Sequence, residues 1–391
     1  MPDSASLSST SSTAPLERKN AHRFYRPELD VLRFGAFLLV FLYHVVPAAS
    51  PNAQGLISGS VILRLLAGIC PGGAYGVDLF FCLSSYLITT LLMEEHADSG
   101  TIDVKSFYIR RILRIWPLYF AFLLCFIPLI GKLIPSQLLP VPYLAAFIFL
   151  SGNWACAAWG FPISAANVLW SVSIEEQFYL SWPLVMKRWF PKLKEISLCL
   201  ILLSIVARAI LVFTHASRDS IFCNTFARLD PIAAGALTAW AFKGATPRLS
   251  TPLRLSMVLF GILAIAACGL FGSRGGIRSL ITYPVATIAS VLLLVGTLGF
   301  DVSRLPNLFV STFVYLGRIS YGLYVFHVVS IAIVEWVTPH IDRLHNHSLA
   351  AFIMRFALTL LCTVAFASVS YHLLEKPFLR LKKRFSHIMS H

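Results

Sequence analysis

The stretch Arg33-Phe-Gly-Ala-Phe-Leu-Leu-Val-Phe-Leu-Tyr-His44 reads as an apolar helix closed at each end by an ionisable side chain. At about 100° per residue the steps from Arg33 to His44 make three turns and about 20°, so both side chains share one face, about 16 Å apart along the axis. Asp30 lies on nearly the same face, about 40° from His44. Ionisable groups facing lipid cost several kcal/mol, so such residues within a membrane span are expected to line a polar interior. The helix predicts a site inside a membrane, open to ions or to a charged ligand.

The rest of the chain agrees with that setting. It is 57% hydrophobic and 13% charged, and its apolar residues come in repeated runs of about 20, the length that crosses a bilayer as a helix. Candidate spans lie near 31–49, 73–93, 112–131, 169–186, 196–213, 225–242, 255–272, 279–300, 311–334 and 350–373. The short alternating segments of a membrane barrel do not occur, so the backbone must satisfy itself within helices. The fold class is all-α, a polytopic membrane protein of about ten transmembrane helices.

A net charge of +14 could suggest nucleic acid, but its distribution argues for membrane topology. With the N-terminus inside, most Lys and Arg residues fall on cytoplasmic segments, including Arg110, Arg111 and Arg114, Lys187 to Lys194, and Lys382 to Arg384. The positive-inside rule then places both termini in the cytoplasm. Tyr143–Leu150 is apolar but too short to span and reads as a short or re-entrant element on the outer side. Residues 1–25, rich in Ser, Thr and Ala, read as a disordered cytoplasmic tail, 26–380 as one integral membrane domain, and 381–391 as a basic cytoplasmic tail. Without glycosylation or targeting cues, the expected home is a bacterial inner (plasma) membrane. The eight cysteines lack Cys-x-x-Cys spacing; Cys70, Cys156 and Cys223 fall outside and could form a disulfide. Neither a metal-ligand pattern nor a nucleotide glycine loop is present.

Several constellations could carry chemistry. Phe107-Tyr-Ile-Arg110-Arg111-Ile-Leu-Arg114-Ile-Trp-Pro117 enters the third span from the cytoplasm. The i,i+3 and i,i+4 spacings bring three guanidinium groups to one side of a helix, and such rigid donor forks suit phosphates. The plain alternative is charge anchoring at the membrane surface. On the outer side Asp78 opens the second span and Glu175 and Glu176 lie in Leu169-Trp-Ser-Val-Ser-Ile-Glu-Glu-Gln-Phe-Tyr179. Any of the three could orient His44 as a general base, or serve only as a helix-terminal acid. Arg228-Leu-Asp230-Pro reads as an ion-pair element, and Ser320, Tyr324 and His327 form a polar stripe at i, i+4 and i+7. A lone buried histidine such as His327 reads first as a hydrogen-bonded structural group.

Taken in order, six stretches resemble the membrane-bound acyltransferase 3 family: Arg26 to Arg33 with His44, Gly76 to Ser84, Phe107 to Pro117, Leu169 to Tyr179, Ser320 to His327, and Glu375-Lys-Pro377. The family's Arg-x10-His pair maps onto Arg33 and His44, and its Arg-x-x-Arg onto Arg111 and Arg114. The resemblance implies ten helices and an acyl-CoA donor, commonly acetyl-CoA, taken from the cytoplasm. It also implies an essential His44, with arginines holding the donor and no permanently bound cofactor.

Joined to the residue reading, this gives a catalytic set of His44, Arg33, Asp78, Glu175 and Glu176, and a donor-binding set of Arg33, Arg110, Arg111 and Arg114. The acceptor would be a hydroxyl of a carbohydrate or related molecule at the outer face, acylated directly or through an acyl-histidine. The alternative is a transporter or flippase for an anionic solute with His44 as a proton relay. Ser84-Ser85-Tyr86 departs from the family's Ser-Gly-Phe, and the expected consequence is altered acceptor choice.

Overall fold

The computed structural model describes residues 26–48, 61–302, 306–338 and 349–382; the two terminal tails read from the sequence lie almost wholly outside them. The described residues are helical, and no strand occurs among them. Helix α1 spans Pro27–Ala48, with Pro27 at its first turn and Glu28 and Asp30 set against the positive N-terminal end of its dipole. The chain continues through α2 (Val61–Ile69), α3 (Gly76–Ser99) and α4 (Val104–Leu133), the last with a π-helical turn at Phe122–Phe126. Two short helices follow, α5 (Val141–Ile148) and α6 (Gly152–Trp159), then α7 (Leu169–Trp189), α8 (Leu193–Phe213) and the one-turn α9 (Arg218–Cys223). Next come α10 (Leu229–Phe242), α11 (Thr251–Phe271), α12 (Ser279–Thr297), α13 (Asn307–Arg318), α14 (Ser320–Val337) and α15 (Leu349–Ser370), which runs on to Lys382.

Eight helical stretches among the described residues are long and apolar enough to cross a membrane. One of them, Ala165–Phe213, turns back at Phe190–Lys192 and so makes two passes. Its descending and ascending arms are fixed by contacts at both ends. Ser171 bonds Tyr324 near the start of α7 and Phe190 stacks on His96 at its end, whereas Lys194 lies over Trp240 and Arg208 meets Asp230 on α8. Helix α10 has only 14 residues. It nonetheless covers the depth of α3 from Asp78, paired with Arg228, to Glu94, which approaches Gly244. The ninth expected span, 311–334, is divided: α13 ends at Arg318, where Gly317 packs against the Asp30 carbonyl with no room for a Cβ, and α14 starts at Ser320 and carries the membrane-length run. The Tyr143–Leu150 segment forms most of α5, whose eight residues reach only about 12 Å.

Two buried ion pairs tie α3, α8 and α10 together. Arg228 Nη2 lies 3.0 Å from Asp78 Oδ2, and Arg208 Nη2 lies 2.9 Å from Asp230 Oδ1. Ser204 and Thr287 donate hydrogen bonds to the two Asp230 oxygens, and the Tyr283 ring sits under both guanidinium groups at 4.5 and 4.9 Å. The arginine and aspartate at Arg228-Leu-Asp230 are therefore paired across helices, not with each other. Gly235 lets α10 come close enough to α3 for this, since a Cβ there would meet the Cys82 carbonyl. Removing one member leaves an uncompensated charge, so Asp78→Ala should lower unfolding free energy by about 3–5 kcal/mol. Thermal unfolding in detergent checks this: the double change Asp78→Leu with Arg228→Met should recover most of the loss, and a wild-type midpoint for Asp78→Ala contradicts the pairing role.

Candidate active site

Two cavities lie end to end between α1, α3, α7 and α14. The first, about 140 Å³, opens among Arg26, Arg33, Arg111 and Arg114 and holds Asp30, Ser84, Glu175 and Tyr179 further along its walls. The second, about 330 Å³, carries His44, Tyr43, Trp170, Arg218, Asp219 and Arg274. Val77 and Tyr324 line both, so a thin partition of two side chains separates them. The Tyr324 hydroxyl is held at that partition by Ser171 Oγ at 2.6 Å and by the Val168 carbonyl at 3.1 Å.

The arginines expected to act together divide. Arg111 and Arg114, one turn apart on α4, face the first cavity, and the Arg111 guanidinium lies over Phe107 and Tyr179 at 5.4 and 5.6 Å. Arg110, about 100° from Arg111 and about 40° from Arg114 around the helix, pairs instead with Glu95 at 3.1 Å. Arg33 lines the cavity while bridging to Asp30 at 2.5 Å. Among the described residues no carboxylate lies within ion-pair distance of Arg111 or Arg114. Arg26, just ahead of α1, joins this group although the sequence reading had not marked it as a site residue.

None of the three carboxylates expected to orient His44 touches it. Asp78 is committed to Arg228. Glu175 accepts from Ser84 Oγ at 2.9 Å in the arginine cavity, and Glu176 accepts from the indole N–H of Trp116 at 2.9 Å. The group beside His44 is His327, fully buried on α14, with ring centroids 4.8 Å apart. His327 Nδ1 is 2.5 Å from the Tyr324 carbonyl and His44 Nδ1 is 2.9 Å from the Val40 carbonyl. Carbonyls only accept, so in the neutral rings both Nδ1 atoms carry the proton. His327 Nε2 is then a lone pair 3.3 Å from His44 Nδ1 and shares its proton. That leaves His44 Nε2 unprotonated in a ring that lines the second cavity.

The stripe of Ser320, Tyr324 and His327 follows this path: Ser320 lines the first cavity, Tyr324 the partition, and His327 backs His44. Its periodicity and its resemblance to a family stretch were the available signals for His327, but their meaning depends on α14 lying against α1. Ser85 and Tyr86 line neither cavity; both are buried, and Tyr86 packs with Leu29 and Leu32 of α1, Ala239 of α10 and Leu293 and Leu294 of α12. All eight cysteines are free. Among the described residues no group of three His, Cys, Asp or Glu could hold a metal ion.

The fold and these cavities define a multi-pass membrane protein with arginines lining one cavity and His44 lining the next. A sequence model described as an acyltransferase domain matches residues 26–372, and the chain belongs to this acyltransferase 3 family. It is 28% identical over 383 residues to the peptidoglycan O-acetyltransferase OatA of Listeria monocytogenes, covering 91% of this chain and 56% of that protein. It is 29% identical over 394 residues to YrhL of Bacillus subtilis, provisionally named a peptidoglycan O-acetyltransferase, covering 92% and 56%. A Staphylococcus aureus protein provisionally named an O-acetyltransferase is 26% identical, covering 90% and 57%. The chain thus spans little more than half the length of these curated relatives. No solved structure matches it.

The hydrogen-bond pattern fixes a measurable tautomer. Nitrogen-15 spectra of histidine-labelled protein, assigned with His44 and His327 variants, should show both residues protonated at Nδ1 and bare at Nε2 at neutral pH. An Nε2-protonated His44 contradicts the geometry.

Proposed function

We propose that this chain moves an acetyl group from cytoplasmic acetyl-CoA to a hydroxyl of a carbohydrate acceptor at the outer face of a bacterial plasma membrane. The observation that carries this reading is the meeting of two cavities at Tyr324 and Val77, with arginines in one and His44 in the other. Guanidinium forks suit the phosphates of CoA, and the narrow first cavity suits the slender pantetheine arm, which would bring the thioester to the partition. The relatives named as O-acetyltransferases support the acyl group and the hydroxyl acceptor.

In this reading the acceptor enters the second cavity with its hydroxyl on His44 Nε2. As the acceptor oxygen attacks the thioester carbonyl carbon, His44 takes its proton, and the resulting imidazolium is stabilised through Nδ1–H by Val40 and His327. Collapse of the tetrahedral intermediate breaks the C–S bond. The departing thiolate recovers the proton from His44, giving free CoA and the acetyl ester. Arg111 and Arg114 hold the donor, Arg33 and Arg26 extend that grip, and Glu175 with Ser84 lines the passage between them and Tyr324.

Radiolabelled acetyl-CoA with purified protein and a panel of glycans tests this directly. His44→Ala should reduce transfer by about 10²–10⁴-fold while donor binding persists; retained transfer overturns the role of His44. Arg111→Ala and Arg114→Ala should each raise the KM for acetyl-CoA by about tenfold or more. His327→Ala should lower kcat with little change in that KM, and a change confined to KM contradicts its orienting role.

A further inference from the structure

The second cavity carries charges that the transfer step itself does not use. Arg218 opens α9, and Arg274 lies in the turn between α11 and α12; their side chains meet at the same cavity as His44. The Arg274 guanidinium rests on the ring of Tyr43 at 4.7 Å and on Phe222 at 5.2 Å. Tyr43 in turn packs edge-on against His44 at 4.6 Å. One aromatic ring therefore stands between a cation and the base. Among the described residues neither Arg218 nor Arg274 forms an ion pair, although Asp219 lines the same cavity.

We propose that Arg218 and Arg274 form an acceptor subsite for an anionic group, a carboxylate or a phosphate, borne by the sugar whose hydroxyl reaches His44. The inference rests on the acyltransfer reading above and adds the acceptor's charge class. An unpaired guanidinium held flat on aromatic rings presents its outer N–H fork, and that fork matches the two oxygens of a carboxylate or phosphate. Trp170 and Phe222, 4.8 Å apart, supply apolar faces for the body of the acceptor, and Asp219 supplies a hydroxyl acceptor. Apolar walls with a few convergent polar groups are the usual build of a small-molecule site. The 330 Å³ cavity is within the size range that admits one or two sugar rings. A purely neutral acceptor would leave both arginines without an anionic partner beside the reacting hydroxyl.

Direct binding separates this claim from catalysis. The full chain in nanodiscs, without acetyl-CoA, is titrated with three fluorescent oligosaccharides that differ only in one substituent: neutral, carboxylated and phosphorylated. At least one charged probe should bind about tenfold or more tighter than the neutral one, and the tighter of the two names the group. Arg218→Gln and Arg274→Gln should each remove most of that advantage, while Arg278→Gln, exposed at the same end but outside the cavity, leaves it in place. Equal binding of all three probes, or an advantage that survives both cavity variants, overturns the subsite. Charged-probe binding that depends on both arginines, in a protein that transfers no acetyl group, would sink the acyltransfer reading and leave the subsite standing.

Discussion

A guanidinium buried in a low-dielectric bundle is costly unless an opposite charge or a set of carbonyls lies beside it, and the arginines of this chain divide by how that requirement is met. Arg228 and Arg208 are neutralised by Asp78 and Asp230, and Arg254 at the start of α11 is satisfied by the carbonyls of Pro247, Gly296 and Leu298. These close the bundle. Arg111 and Arg114 have aromatic neighbours and a cavity instead of carboxylates. The same physics that makes the first group structural is the reason the second group is assigned, in the proposed reaction, to an anionic ligand. Arg33, bridged to Asp30 at the cavity wall, stands between the two classes.

The second constraint is the handling of one proton. His44 could not serve as a base at Nε2 if Nδ1 were free to lose its proton, and two carbonyls and one imidazole prevent that. The Tyr324 backbone fixes the tautomer of His327, which in turn accepts from His44, while the Tyr324 hydroxyl is pinned at the junction of the cavities. A single residue thus takes part in both the partition and the orientation of the base. In the proposed reaction, keeping the two cavities distinct would also limit a water path to the thioester, where water would compete with the acceptor hydroxyl.

Much of the architecture was legible in the sequence because each apolar run independently demands a helix, and the shared face of Arg33 and His44 follows from helical geometry alone. The run at 311–334 holds a span, but one that starts at Ser320; hydropathy does not register the helix break at Ile319. The site was less legible because it depends on how helices are rotated about their own axes. Asp78 was free to face His44 in a linear reading, but α10 brings Arg228 to it from 150 residues away. Glu175 sits one turn below Ser171, already past the partition on the arginine side. His327, 283 residues from His44, was marked by a polar periodicity and by its place in a family-like stretch, but neither signal shows that it meets His44.

The central claim is that the arginine cavity and His44 serve opposite faces of one membrane through a single path. Proteoliposomes loaded with acetyl-CoA labelled in its acetyl group, with glycan acceptor supplied only outside, measure this most directly. The account predicts labelled acetyl ester on the external acceptor while the CoA stays in the lumen. Transfer that requires donor and acceptor on the same side, or CoA released with the product to the acceptor side, would contradict it.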